Sequence, residues 1–367
     1  MIDCSLYILI SFLVSMLLGL GMIPLVVSFC KVKRIYDLPN ERKVHKVFVP
    51  RLGGVCFIPC VVISFMLATA IVSRISEGTS LSLSLWTCYF SVGLLAIYVA
   101  GVVDDIVGVS PRTKFLVQIF AASILPLSGL YINNLYGFCG IGEIPFWVGA
   151  PLTVFVIVFL DNAINLIDGI DGLAAFLAII ALFGFFVLFL SEDLLSYCII
   201  IAGLLGVLVA FVRFNLFGKQ GKNKIFMGDS GSLTLGFILG TLFVKCSMVR
   251  VNAEPAVVGG MPIVSSYLIV PVFDVCRVII TRFVHHRPIF MADKNHIHHK
   301  LLRTGMTQHQ ALGVLVVMAL LFILINLLIG KSIGFTMIIV LDILVWVAIS
   351  GARPGARREI VEAYMNV

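Results

Sequence analysis

Leu173-Ala-Ala-Phe-Leu-Ala-Ile-Ile-Ala-Leu-Phe-Gly-Phe-Phe-Val-Leu-Phe-Leu190 contains no charged or hydrogen-bonding side chain. A bilayer core of ~30 Å takes about 20 such residues as one helix. The chain holds ten more runs of this kind, so the spans are read as 6–30, 53–73, 85–103, 115–132, 146–163, 173–190, 194–212, 231–248, 261–281, 310–330 and 333–350. Of the 367 residues 60% are hydrophobic and 12% are charged, against about 25% charged in soluble domains. That excludes a soluble globular protein, a disordered chain and a disulfide scaffold. An outer-membrane barrel alternates apolar and polar residues, whereas Ile179–Leu190 is apolar throughout. The nine cysteines are scattered without a CxxC, and read as apolar packing residues rather than zinc or redox groups. The expected fold is all-α and polytopic, with about eleven transmembrane helices in one domain over 1–350 and a basic tail over 351–367. Met1-Ile-Asp-Cys-Ser5 lacks a basic n-region, so the first run reads as a retained span.

Charge sets the sidedness. Of the 26 Lys and Arg, 21 fall in the connections after spans 1, 3, 5, 7 and 9 or in the tail. The opposite face holds Arg74, Lys245, Arg250 and Lys331, and Arg277 lies within span 9. The positive-inside rule then places the N-terminus outside and the C-terminus in the cytoplasm. All seven histidines also fall on the cytoplasmic side. A transporter concentrates its polar groups at mid-membrane; here they gather on one face, as in an enzyme working at the cytoplasmic leaflet.

Four constellations carry the chemistry. Asp104-Asp105 ends span 3. Adjacent helical residues point ~100° apart, so the two carboxylates are expected to do different jobs; the alternative is a pair of solvated helix-end charges. Asn162, Asn165, Asp168 and Asp171 recur every third residue and would form one polar stripe if helical. Phe226-Met-Gly-Asp229-Ser-Gly-Ser232 leads into span 8, a pattern suited to an anion or a metal-phosphate, or to an N-cap at Asp229 or Ser230. Arg287-Pro-Ile-Phe-Met-Ala-Asp-Lys-Asn-His296-Ile-His298-His299 joins spans 9 and 10. On a helix His296 and His299 would share a face and His298 would point elsewhere. Three histidines could suggest zinc, but nearby carboxylates favour a hard cation such as Mg²⁺, and Arg, Lys and His suit phosphate oxygens. The first cytoplasmic connection adds Asp37, Arg42, Lys43, His45 and Arg51 before Gly53-Gly54, which a lipid-attracting charge patch would also explain. Asp274 and Arg277, three apart, could pair on one face. Carboxylates able to hold a divalent ion beside basic phosphate donors fit phosphoryl transfer.

With these motifs in this order, the chain resembles the polyprenyl-phosphate N-acetylhexosamine-1-phosphate transferases, over nearly its whole length. His296-Ile-His298-His299 followed by Lys300-Leu-Leu resembles the branch using UDP-N-acetylglucosamine, not the phospho-N-acetylmuramoyl-pentapeptide branch. The resemblance implies transfer of N-acetylhexosamine-1-phosphate, foremost GlcNAc-1-phosphate, from a UDP-sugar to undecaprenyl phosphate with release of UMP, the first step of a lipid-linked envelope glycan. It implies Mg²⁺ (or Mn²⁺) on Asp229, and Asp104, Asp105, Asp168 and Lys114 as catalytic residues. Asp171 and Phe226 would hold the uracil, and Asn165 and Asn215, with Asp168, would shape the nucleotide pocket. Arg287, His296, His298 and His299 would contact the diphosphate or sugar. The expected setting is the bacterial plasma (inner) membrane, with the site facing the cytoplasm, no nucleic-acid partner, and a homodimer left open. Another UDP-sugar, UDP-MurNAc-pentapeptide, and an ion-coupled transporter using Asp161, Asp274 and Asp342 stand as alternatives.

Overall fold

The computed structural model describes residues 2–37, 48–75, 85–248, 261–286, 288, 295–330 and 332–351. The molecule is mostly helical: α1 (Ile2–Lys33), α2 (Phe57–Ile75), α3 (Leu85–Val107), α4 (Pro111–Leu127), α5 (Phe146–Ile167), α6 (Leu173–Ser191), α7 (Leu195–Asn215), α8 (Asp229–Cys246), α9 (Met261–Ser266), α10 (Ile269–Val284), α11 (Ile297–Arg303), α12 (Gln308–Ile329) and α13 (Phe335–Gly351). Among the described residues, seven helical stretches are long and apolar enough to cross a membrane, and these lie on α1, α2, α3, α5, α6, α7 and α12. Their outer surfaces fit that setting. On α1, Leu9, Leu17 and Leu25 are exposed while Ser11 and Ser15 are fully buried, the reverse of a helix that faces water.

The other four expected spans coincide with α4, α8, the pair α9 and α10, and α13, and their edges differ for local reasons. Ser110 accepts a bond from the Thr113 N–H and Pro111 takes the first helical position, so α4 starts before the apolar run. It ends at Leu127, because Pro126 and then Gly129, at φ +85°, stop it short of 132. The run 261–281 is broken between α9 and α10. Pro271 has no N–H and its ring opposes a helical carbonyl at Tyr267, so one continuous helix cannot pass through.

The chain is not wholly α. Strand β1 (Tyr36–Asp37) pairs antiparallel with β2 (Val49–Pro50), and β3 (Asn134–Phe138) pairs antiparallel with β4 (Ile141–Glu143). Gly137, Cys139 and Gly140, all at positive φ, turn the second hairpin. The Cys139 N–H bonds the Thr336 hydroxyl at the start of α13.

Helix α8 is the axis of the molecule. Every residue from Ser230 to Leu242 is buried, and α3, α5 and α6 pack around it. Thr234 and Thr241 return their hydroxyl bonds to the helix's own carbonyls, which satisfies these two buried groups. Close approach depends on small residues, as in other membrane helix pairs. A Cβ at Gly101 of α3 would lie 2.6 Å from the Ser230 Cα, and one at Gly236 of α8 would lie 2.5 Å from the Asp161 Cα.

Candidate active site

The first turn of α8 has no cap of its own: Gly228, at φ +74°, precedes it and offers no side chain. Neither Asp229 nor Ser230 is the N-cap, correcting that sequence reading. The cap comes from α3. Asp105, 2% exposed, accepts the Asp229 N–H and the Ser230 N–H, one on each carboxylate oxygen, both at 2.9 Å. A carboxylate suits a helix N-terminus, where unpaired N–H groups concentrate positive potential. The backbone carbonyl of Asp105 accepts from Arg51 Nε at 2.7 Å. The segment around Arg51 is zipped to the same turn: Phe226 N–H bonds Pro50 O, and Gly53 and Gly54 N–H groups bond Phe226 O and Met227 O. A Cβ on Gly54 would sit 2.1 Å from the Gly231 backbone, which is why this contact takes glycine.

Asp229, thus fixed, meets Lys114 and Asn165. Lys114 Nζ lies 2.7 Å from Asp229 Oδ2 and 3.3 Å from Asp104 Oδ2. Asp104 Oδ1 accepts the Val109 N–H at 2.7 Å. Asn165 Nδ2 reaches Asp229 Oδ1 at 3.1 Å and the Ser232 hydroxyl at 2.8 Å. Lys114 and Asp229 precede the apolar runs at 115–132 and 231–248. Burial works against the charge of Lys114, but Asp229 and Asp104 outweigh it and hold its ammonium above the ordinary range. Burial likewise opposes the charge of Asp229, yet Lys114 and the bonds from Asp104 and Asn165 hold its carboxyl below the ordinary range. Adjacent in sequence, Asp104 and Asp105 thus face different partners: one a cation, the other a helix terminus.

The polar stripe of α5 stops early. Asn162 and Asn165 are helical, but Asp168 is the C-cap and Asp171 lies in the following turn. Asp171 Oδ2 pairs with Lys224 Nζ at 2.6 Å, so the carboxylate expected to bind uracil directly already carries a cation. Asn215 is a buried staple, its Oδ1 accepting the Gly172 N–H and its Nδ2 donating to Ile225 O. It shapes the 168–172 turn from behind. Phe226 is half-buried, with its backbone in the zipper described above.

The histidines gather in one place. His296 is the N-cap residue of α11 and His298 and His299 lie in its first turn. The His296 and His298 rings stack at 5.8 Å, and those of His298 and His299 lie 4.3 Å apart, so His298 does not point away from its neighbours as helical spacing predicts. It is 1% exposed and packs on Gly169, where a Cβ would collide with its Nε2. Burial first, then His299, pushes the His298 pKa down to about 3. Asp274 of α10, fully buried, holds the segment. Its oxygens accept from His296 Nδ1 at 2.8 Å, the Ile297 N–H at 2.8 Å and Arg277 Nη2 at 2.8 Å. Arg277 also donates to Asn295 O. The expected Asp274–Arg277 pair is therefore present, with a role the spacing does not reveal. Asp342 is held by Asn326 Nδ2 at 3.1 Å from each oxygen.

Among the described residues no three His, Cys, Asp or Glu side chains converge as a ready-made metal cage. Asp229 and Asp104 do converge on one cationic group. Mg²⁺ commonly takes one or two carboxylates and completes its shell with water and substrate phosphate oxygens, so this donor set fits it. Arg287, Arg42, Lys43 and His45 lie outside the described residues. Arg51 was singled out from the sequence without its contact to Asp105, while Lys224 and Gln118 were not singled out as site residues; Gln118 accepts a bond from Asn162 at 2.9 Å. Their partners lie tens of residues away, and only the glycines after Arg51 hinted at a close backbone contact.

Comparison with known proteins bears on this site. The model of glycosyl transferase family 4 matches residues 87–247. The chain is 32% identical to a probable undecaprenyl-phosphate N-acetylglucosaminyl 1-phosphate transferase of Bacillus subtilis, covering 86% of this chain and 83% of the relative. It is 26% identical to an undecaprenyl-phosphate alpha-N-acetylglucosaminyl 1-phosphate transferase of Yersinia pestis, over 82% and 78% of the two chains. A decaprenyl-phosphate N-acetylglucosaminephosphotransferase of Mycolicibacterium smegmatis is 32% identical, over 74% and 70%.

Proposed function

The chain belongs to glycosyl transferase family 4, and from that premise we propose that it transfers GlcNAc-1-phosphate from UDP-GlcNAc to undecaprenyl phosphate and releases UMP. One observation carries the reading: side chains from four separate segments, Asp104, Lys114, Asn165 and Asp229, meet at one end of the bundle. Both substrates are anionic, so the site must neutralise crowded charge before they react. A phosphate oxygen of the lipid attacks the sugar-side phosphorus; that bond forms as the bond to the UMP oxygen breaks, and UMP leaves.

Lys114 supplies positive charge where the lipid phosphate would arrive. Asp104, bonded to Lys114 and to the Val109 N–H, orients the ammonium. Asp229 and Asp104 would hold Mg²⁺, which when bound offsets diphosphate charge. Asp105 positions Asp229 rather than touching substrate. The 168–172 turn, backed by Asn215 and Lys224, and the histidine cluster on Gly169 form the nucleotide and sugar side, with Asp168 at its edge. The charge asymmetry supports eleven crossings with the N-terminus outside and the site at the cytoplasmic face of a bacterial plasma membrane.

The test is purified protein with UDP-GlcNAc, undecaprenyl phosphate and Mg²⁺. UMP should appear only with both substrates, EDTA should abolish it, and Asp229→Asn should lower turnover by orders of magnitude in protein that still folds. Near-normal turnover of that variant at saturating Mg²⁺ would overturn the metal assignment. Running the assay over a panel of UDP-sugars, UDP-MurNAc-pentapeptide included, fixes the donor. Cysteines at Lys222 and Asn295, in a Cys-depleted background, should resist an impermeant thiol reagent in intact cells.

A further inference from the structure

One helical turn deeper than the site lies a second polar layer that the proposed reaction leaves unused. Asp161 precedes Asn165 by four residues on α5, and Gln118 follows Lys114 by four on α4. Residues four apart share a helix face, so Asp161 and Gln118 sit beneath the two side chains that hold Asp229. Asp161 is 1% exposed and Gln118 is 2% exposed. Their hydrogen bonding is incomplete. Gln118 Oε1 accepts from Asn162 Nδ2 at 2.9 Å, which ties α4 to α5. The Gln118 side chain is also the hydrogen-bonding neighbour of Asp161. Yet among the described residues Gln118 Nε2 and both carboxylate oxygens of Asp161 complete no hydrogen bond. Gly236 of α8 offers no side chain there, and a Cβ on it would lie 2.8 Å from Asp161 Oδ1.

A buried polar atom without a bond is expensive. Three of them in one place suit a water molecule, which takes about two to four polar partners. A cation suits the place less well, because the free group of Gln118 is an N–H donor and would meet it with positive charge. Resting on the transferase reading, we propose that Asp161 and Gln118 hold one ordered water and with it lock α4 against α5, keeping Lys114 and Asn165 on opposite oxygens of Asp229. Lys114 takes Oδ2 and Asn165 takes Oδ1. The first comes from the start of α4 and the second from the end of α5, so a slip between these helices moves one donor relative to the other. The Asn162–Gln118 bond and the water beneath it resist that slip. Asp161 and Gln118 are thus positioning residues, set behind the reacting groups.

A double-mutant cycle in the UMP-release assay tests this. Asp161→Val and Gln118→Leu remove the water's partners without adding bulk. Each should lower kcat about 10- to 100-fold, the scale of an ångström-sized misplacement of a catalytic group, and change the KM for UDP-GlcNAc less than about twofold. The double variant should lose no more than the larger single loss, since one layer is being removed; independent sites would multiply. Asp161→Asn keeps an acceptor oxygen for the water and should recover most of the turnover that Asp161→Val loses. Without any substitution, a high-resolution map of wild-type protein in nanodiscs should show one density bridging Gln118 Nε2 and Asp161. Replacing Na⁺ and K⁺ by choline should leave wild-type turnover unchanged. Multiplying losses, equal loss in Asp161→Asn and Asp161→Val, a map that resolves other buried waters but not this one, or loss of turnover in choline would each overturn the proposal. If wild-type protein releases no UMP from UDP-GlcNAc, the transferase reading falls, and the density alone then decides whether the water-held layer exists.

Discussion

Asp105→Asn separates a positioning carboxylate from a reacting one. Asp105 holds both leading N–H groups of α8 at 2.9 Å from a 2% exposed position. Asparagine keeps one acceptor oxygen and turns an NH₂ toward the other N–H, so one charge-assisted bond is lost and a buried donor is left unpaired. Such a bond is worth about 1.5–3 kcal/mol, and loss of the negative charge at the helix N-terminus adds about 0.3–1 kcal/mol. The expected penalty is therefore about 2–4 kcal/mol, or roughly 30- to 700-fold in the opening equilibrium of the α8 first turn. Hydrogen exchange of the Asp229 and Ser230 amides in detergent or nanodiscs reads this directly, and the thermal midpoint should fall with it. Turnover should drop because Asp229 is displaced. Asp104→Asn, which removes no α8 backbone bond, should lose turnover while α8 keeps its protection. Full amide protection in Asp105→Asn together with a turnover loss of several orders of magnitude would refute the capping argument and return Asp105 to the reacting groups.

Other expectations follow from the same contacts. Gly54→Ala puts a methyl 2.1 Å from the Gly231 backbone; overpacking of this kind costs about 1–3 kcal/mol or more, so thermal stability and turnover should fall together, and a fully active, equally stable variant would contradict the close contact. Asp274→Asn breaks a buried pair, at about 3–5 kcal/mol when one partner is removed; thiol labelling of a cysteine at 295 should speed up and the KM for the UDP-sugar should rise, and unchanged labelling would show that Asp274 does not anchor the histidines. His298 has a folded pKa of about 3 against ~6.5 when exposed. Below pH 6.5 the opened segment takes up a proton that the folded one refuses until about pH 3, so its contribution is full above pH 6.5 and drains away as pH falls. The thermal midpoint should drop more steeply between pH 6.5 and 4 in wild type than in His298→Asn; parallel profiles would mean that His298 is not held neutral.

The sequence by itself determined the membrane class, the approximate position of its helices and the order of the motifs. A bilayer admits only long apolar runs, and a rule written into every span survives any arrangement of the spans. Local pairs were legible too: Asp274 and Arg277 are three apart, and their bond follows from helix geometry. What each polar residue does was decided by tertiary structure. That Asp104 and Asp105 differ was legible from their ~100° separation, but which one caps a helix was not, because the terminus that Asp105 holds, on α8, begins 124 residues further on. How Asn215 acts was not legible in the sequence either: its amide joins Gly172 to Ile225, segments far apart in the chain. The helical face expected for His296 and His299 failed because His296 is the extended N-cap of α11, and His298 packs on Gly169 while Asp274, 22 residues before His296, holds that ring. Apolar runs declare themselves because every residue obeys the same solvent. A hydrogen-bonding side chain has many possible partners, and only the packing of distant helices selects one.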